Sequence, residues 1–168
     1  MMRLRVPVWN DPKMSLGRNL VPSVCLCGDF AAAPDGALCP PPERIGAGSW
    51  TEYGFAAFAG TGVYRKTFFL NDLPRLPMLV IDRAGSTVEV KLNGRELAPR
   101  CWRPWRFALD GALRRGENEL EIRVSGTFGN LLNRGGWGTL LRSEPVAYGL
   151  IGPVRITGEG LNGVTEKL

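Results

Sequence analysis

Two stretches of this chain, "TVEVKLNG" at 87–94 and "ENELEIRVSG" at 117–126, alternate apolar and polar residues too strictly for a helix. A period of two puts Val88, Val90 and Leu92 on one face of a strand, with Glu89 and Lys91 on the other. The second stretch does the same with Leu120, Ile122 and Val124 against Glu119, Glu121 and Arg123. The first ends at Asn93-Gly94, a pair suited to positive φ in a tight hairpin, and the second follows a turn at Arg115-Gly116-Glu117-Asn118. Strands with one apolar face need a second layer to cover it.

Other segments supply that layer. "VYRKTFFL" at 63–70 is rich in β-branched and aromatic residues, and "PMLVIDRAG" at 77–85 is an apolar run too short and too bounded for a helix. "WRFALDG" offers Phe107 and Leu109 to the same core, and "GPVRITG" at 152–158 reads as a late strand. In the first fifty residues, prolines at 7, 12, 22, 34, 40, 41 and 42 leave short extended pieces such as "RLRVPV" and "SVCLCGDF". The chain's 22 glycines and 13 prolines follow no period, which favours many short segments joined by turns. The expectation is an all-β, antiparallel β-sandwich of about eight strands with jelly-roll winding. At 168 residues it forms one domain over 25–158, with an irregular extension or edge strand at 1–24 and a tail at 159–168. One segment resists, the glycine-interrupted excursion "TFGNLLNRGGWGTLLRSEPVAYG" at 127–149; excursions of that length are often functional.

Composition removes several kinds of chemistry. There is no histidine, so Ser-His-Asp and Cys-His activation and histidine-ligated zinc are excluded. The net charge of +5 is spread singly along the chain, not gathered into a basic patch, and no nucleic-acid partner is expected. Cys25, Cys27, Cys39 and Cys101 lack metal-site or disulfide-scaffold spacing and read as free thiols, with a Cys39–Cys101 bridge left open. No cofactor is expected. The acidic loop of a calcium site is missing, although a structural calcium stays open. Neither a signal peptide nor a transmembrane stretch is present, so no membrane partner is expected; the setting is a bacterial cytoplasm, or export within a longer parent.

Taken together, "GDF" at 28–30, "GSWTEYGFAAFAGTGVYRKTFFL" at 48–70, "VEVKLNGRELAPRCWRPWRFALDGALRRGENELEIRV" and "YGLIGPVRI" resemble the galactose-binding-like β-sandwich domain of glycoside hydrolases. The likeness spans about residues 25–157 and is nearest to the sugar-binding domain of family 2 enzymes and to a sandwich of α-L-rhamnosidase-like enzymes. It implies a non-catalytic accessory module beside a catalytic glycosidase domain. The alternative is a stand-alone carbohydrate-binding module that recognises a glycan through loop aromatics.

Sugar recognition uses flat aromatic faces against the apolar face of a pyranose, with planar polar groups around the hydroxyl rim. Trp102 and Arg103 are of that kind, as are Trp137, Asn130, Asn133 and Arg134 on the long excursion. Period two assigns Trp105, Phe107 and Leu109 to the core and points Arg106 outward; Trp102 either caps the core or faces a ligand. Hydrolysis by this chain alone would need a carboxylate pair, and nothing in the spacing of Asp29, Glu52, Asp82, Asp110 and Glu144 selects one. No catalytic residue is assigned.

Overall fold

The computed structural model describes residues 28–33, 37–55, 58–129 and 147–159. They form strands β1 (Ala31–Ala32), β2 (Leu38–Cys39), β3 (Thr61–Leu70), β4 (Arg75–Ile81), β5 (Thr87–Leu92), β6 (Arg95–Glu96), β7 (Trp105–Ala108), β8 (Gly116–Ser125) and β9 (Val154–Glu159), with a 3-10 turn at Trp50–Tyr53. Every ladder is antiparallel. One sheet has the order β3-β8-β5-β6 and a second the order β7-β4-β9, while β1 and β2 make a separate hairpin. From β3 onward the chain changes sheet at each connection except the β5–β6 hairpin. The apolar face of each sheet is covered by the other, which is the antiparallel sandwich that the alternation predicts.

The core lies between the two sheets. Phe68, Leu70, Val88, Val90, Leu92, Leu120, Ile122 and Val124 reach it from the first sheet, and Leu79, Ile81, Trp105, Phe107 and Val154 from the second. Complete burial of such side chains stabilises the fold by about 1.5–3 kcal/mol each. β4 holds the centre of its sheet despite Pro77, because the proline lies in an irregularity of the β4–β9 register between Arg75 and Met78.

Turn chemistry fixes the register of β5 and β8. Asn93 (φ 51°) and Gly94 (φ 83°) form the two-residue hairpin turn, with Leu92 opposite Arg95. The Asn93 side chain reaches further: its Oδ1 accepts from the Glu119 N–H at 2.9 Å and its Nδ2 donates to Asn118 Oδ1 at 2.8 Å. The sequence marks two separate turns, and the structure joins them through this asparagine pair.

Opposite charges alternate on the outer face of the first sheet. Arg65 faces Glu121, Glu121 faces Lys91, and Lys91 faces Glu96 in register across β3, β8, β5 and β6. Glu121 accepts from Arg123 Nε at 2.8 Å and from Arg65 Nε at 2.7 Å, and these bonds, Arg123's first, hold its carboxyl below the usual carboxylate range. A carboxyl with a lowered pKa in the folded state stabilises above its unfolded pKa and loses that contribution as pH falls through the folded value. Glu121→Gln is therefore expected to cost about 0.5 kcal/mol near neutrality, the scale of an exposed ion pair. Urea unfolding across pH should show the difference from the parent closing below the usual carboxylate range.

One expectation needs correction. Gly28–Phe30, the described end of "SVCLCGDF", is not strand: the Phe30 N–H turns back onto the Gly28 carbonyl at 3.1 Å, and pairing begins only at Ala31. Cys39 and Cys101 are exposed free thiols, which closes the question of a bridge between them. "RLRVPV", Cys25 and Cys27 lie outside the described residues.

Candidate functional site

At one end of the sandwich, four connecting segments meet around a cleft of about 430 Å³. Its walls come from Arg83–Ser86 between β4 and β5, Cys101–Arg103 and Trp105 around the start of β7, Thr127 and Gly129 after β8, and Ala147, Tyr148 and Ile151 before β9. That volume lies in the ordinary range of ligand sites, about 300–1,000 Å³.

Backbone pairing makes these walls rigid. Gly85 N–H donates to the Gly149 carbonyl at 2.8 Å, Ile151 N–H to the Arg83 carbonyl at 3.0 Å, and Ala84 bridges Leu150. Arg100 is tied to Val88 on β5 in both directions, at 2.8 and 3.0 Å, which anchors the approach to Trp102. Beneath the cleft, the buried Tyr148 hydroxyl lies 3.0 Å from the Phe55 carbonyl and 2.6 Å from the Phe58 carbonyl. Its ring meets Trp50 edge to face at 5.1 Å.

Trp50 organises this end of the molecule. It is 1% exposed, its Nε1 donates to the Tyr64 hydroxyl at 2.7 Å, and its backbone N–H donates to the Tyr148 carbonyl at 2.9 Å. A side chain at Gly62 or Gly149 would press on the indole, with a Cβ at 2.6 or 2.7 Å from it. Those glycines are the notch into which the ring fits.

The floor and the rim of the cleft differ in character. Trp105 is 4% exposed and belongs to the core, as period two predicts, with one edge on the cleft; its indole N–H has no hydrogen-bond partner among the described residues. Trp102 is 76% exposed, so it faces solvent and does not cap the core. Arg103 and Arg83 are exposed beside it, and neither forms an ion pair with a described residue. Between two lining residues, Phe128 presents a second exposed ring.

Of the residues selected from sequence, Trp102 and Arg103 are thus brought together on one rim. Trp137, Asn130, Asn133 and Arg134 lie outside the described residues. Sequence reading missed Arg83, Ser86 and Thr127. These stand on short connections whose "DRAG" and "SGT" signals say only that the chain turns there, and three-dimensional convergence leaves no mark in local periodicity.

Two other hollows, of about 280 and 560 Å³, lie over the outer face of the first sheet. Charged side chains such as Arg65, Lys91 and Glu121 line them, and Glu121 is already engaged by arginines. Neither is lined by an aromatic side chain among the described residues. Among the described residues no group of three His, Cys, Asp or Glu side chains is placed to hold a metal ion, and no helix is long and apolar enough to cross a membrane.

The chain is thus a two-sheet antiparallel β-sandwich whose connections gather into a cleft at one end, and solved structures of glycoside hydrolases are similar to part of it. The chain is similar to a rhamnosidase from Novosphingobium sp. PP1Y, at 28% identity over 61% of this chain and 11% of that one, with a TM-score of 0.52. A weaker likeness is to a β-glucuronidase from Bifidobacterium dentium, at 28% identity over 52% of this chain and 16% of that one, with a TM-score of 0.43. Both are glycoside hydrolases, and the chain spans only a small part of either. No family model matches the chain, and comparison with curated proteins finds no match.

Proposed function

We propose that this chain is a non-catalytic accessory domain of a carbohydrate-active enzyme, one that docks beside a catalytic glycosidase domain and contacts a saccharide through its loop-end cleft. The observation that carries the reading is the likeness to an 11% stretch of a rhamnosidase, a share suited to one module of a large enzyme. The cleft supports it chemically. An exposed indole offers a flat apolar face to a pyranose, guanidinium groups and the Ser86 and Thr127 hydroxyls flank it, and no carboxylate lines it among the described residues. Glycoside hydrolysis in its common form uses two carboxylates about 5–10 Å apart.

A second reading, a free-standing carbohydrate-binding module, uses the same cleft without a catalytic partner and is favoured by the exposure of Trp102. In both readings Trp137, Asn130, Asn133 and Arg134 are rim candidates, because the described residues on either side of 130–146, Gly129 and Ala147, both line the cleft.

The test combines titration calorimetry against a panel of oligosaccharides with assays on chromogenic glycosides. Binding without hydrolysis is expected. Trp102→Ala should weaken binding at least tenfold while changing stability by no more than about 0.5 kcal/mol, because the side chain is exposed. Turnover by the isolated chain would overturn the non-catalytic assignment, and unchanged affinity in the variant would remove the cleft from the reading.

A further inference from the structure

We infer that the saccharide taken by this cleft is anionic, bearing a carboxylate or sulfate on the pyranose that meets Trp102; the inference rests on the cleft being a saccharide site. Its basis is the balance of donors and acceptors. A sugar hydroxyl both donates and accepts, so a neutral sugar is best met by side chains of both kinds. The lining instead holds groups that only donate: the guanidinium groups of Arg83 and Arg103 and the indole N–H of Trp102. Tyr148, a lining residue with a hydroxyl, has its O–H directed to the Phe55 and Phe58 carbonyls. Ser86 and Thr127 add hydroxyls that can accept, and Thr127 Oγ1 already receives the Gly129 N–H at 3.4 Å. A carboxylate or sulfate oxygen only accepts, and it matches such a set.

Charge leads to the same conclusion. Arg65, Arg75, Arg115, Arg123 and Arg155 all have acidic partners, and none of them lines the cleft. Asp82, next to Arg83 in the chain, would be its natural counter-ion, but its carboxylate is engaged by Arg155. Two guanidinium groups in one cleft with no carboxylate among its described lining make a positive site, and the planar guanidinium fork fits a carboxylate or sulfate in bidentate fashion.

Titration of the full chain against paired oligosaccharides tests this. The pairs are glucuronate, galacturonate and mannuronate oligomers with their methyl esters, which keep the backbone and remove the charge, together with sulfated galactan oligomers. At least one free acid or sulfated oligomer is expected to bind ten times more tightly than its uncharged counterpart, with the preference shrinking as salt rises. The Arg83→Gln/Arg103→Gln double variant should lose that preference, treating acid and ester alike, while keeping the parent's unfolding midpoint. The uronate and sulfate arms show which anion is taken. Esters binding as tightly as acids, or a double variant that keeps the preference, would overturn the inference and leave the saccharide site standing. Binding of nothing in the panel by a folded chain would overturn both.

Discussion

Trp50→Ala is expected to lower the free energy of unfolding by about 4 kcal/mol, within the range of fully buried aromatic truncations. The ring is 1% exposed and is met edge to face by Phe58 at 5.2 Å and Tyr148 at 5.1 Å. Removing it leaves a cavity that the surroundings cannot close, because the notch is built from glycine backbone that has no side chain to advance. It also strips a donor from the Tyr64 hydroxyl, which additionally accepts from the Leu150 N–H at 3.3 Å. Urea unfolding should show a lower midpoint with little change in slope. Because the residues around Trp50 also carry the Tyr148–Ile151 wall of the cleft, saccharide affinity should fall in the same variant. A stability loss below about 1 kcal/mol would mean that the loop end is not organised around this residue.

Asn118→Ala is expected to cost about 3 kcal/mol, out of proportion to the few atoms removed. Asn118 is 0% exposed and fully bonded. Its Oδ1 accepts from Asn93 Nδ2 at 2.8 Å and from the Arg114 N–H at 3.0 Å, and its Nδ2 donates to the carbonyls of Arg114 at 2.8 Å and Gly116 at 3.0 Å. Alanine leaves these four groups short of a partner in a site where water does not substitute freely, and each stranded group costs about 1–3 kcal/mol at most. A double-mutant cycle with Asn93→Ala separates the network from packing: the two changes should cost clearly less together than the sum of their separate costs, because both break the same bonds. Strict additivity would show that the two turns are stabilised independently.

These two residues mark the limit of what local pattern conveys. The inward faces of β5 and β8 were legible because one buried face forces a period of two, and a slip of one position would expose Val88, Val90 and Leu92 together. β7 was legible for the same reason, with Trp105 and Phe107 buried and Arg106 and Ala108 exposed. Trp50 was not. It sits on a 3-10 turn capped by Ser49, where no periodicity applies, and its burial depends on glycines at 62, 126 and 149 that are distant in the chain. Asn118 read as a turn residue at the start of a strand, whereas its burial follows from a hairpin some 25 residues earlier. For the site, Trp102 and Arg103 were visible as candidates, but whether Trp102 caps the core or faces outward was not, and its exposure comes from the structure. Arg83, Ser86 and Thr127 join them only because the sandwich brings separate connections to one end.

The sandwich is a frame, and recognition is confined to the cleft at that end. Amide chemical-shift mapping on addition of a bound oligosaccharide tests it most directly. Shifts are expected to cluster at Arg83–Ser86, Cys101–Trp105, Thr127–Gly129 and Ala147–Ile151, with the outer face of the first sheet unmoved. Shifts centred on Arg65, Lys91 and Glu121, with the Trp102 rim silent, would contradict it.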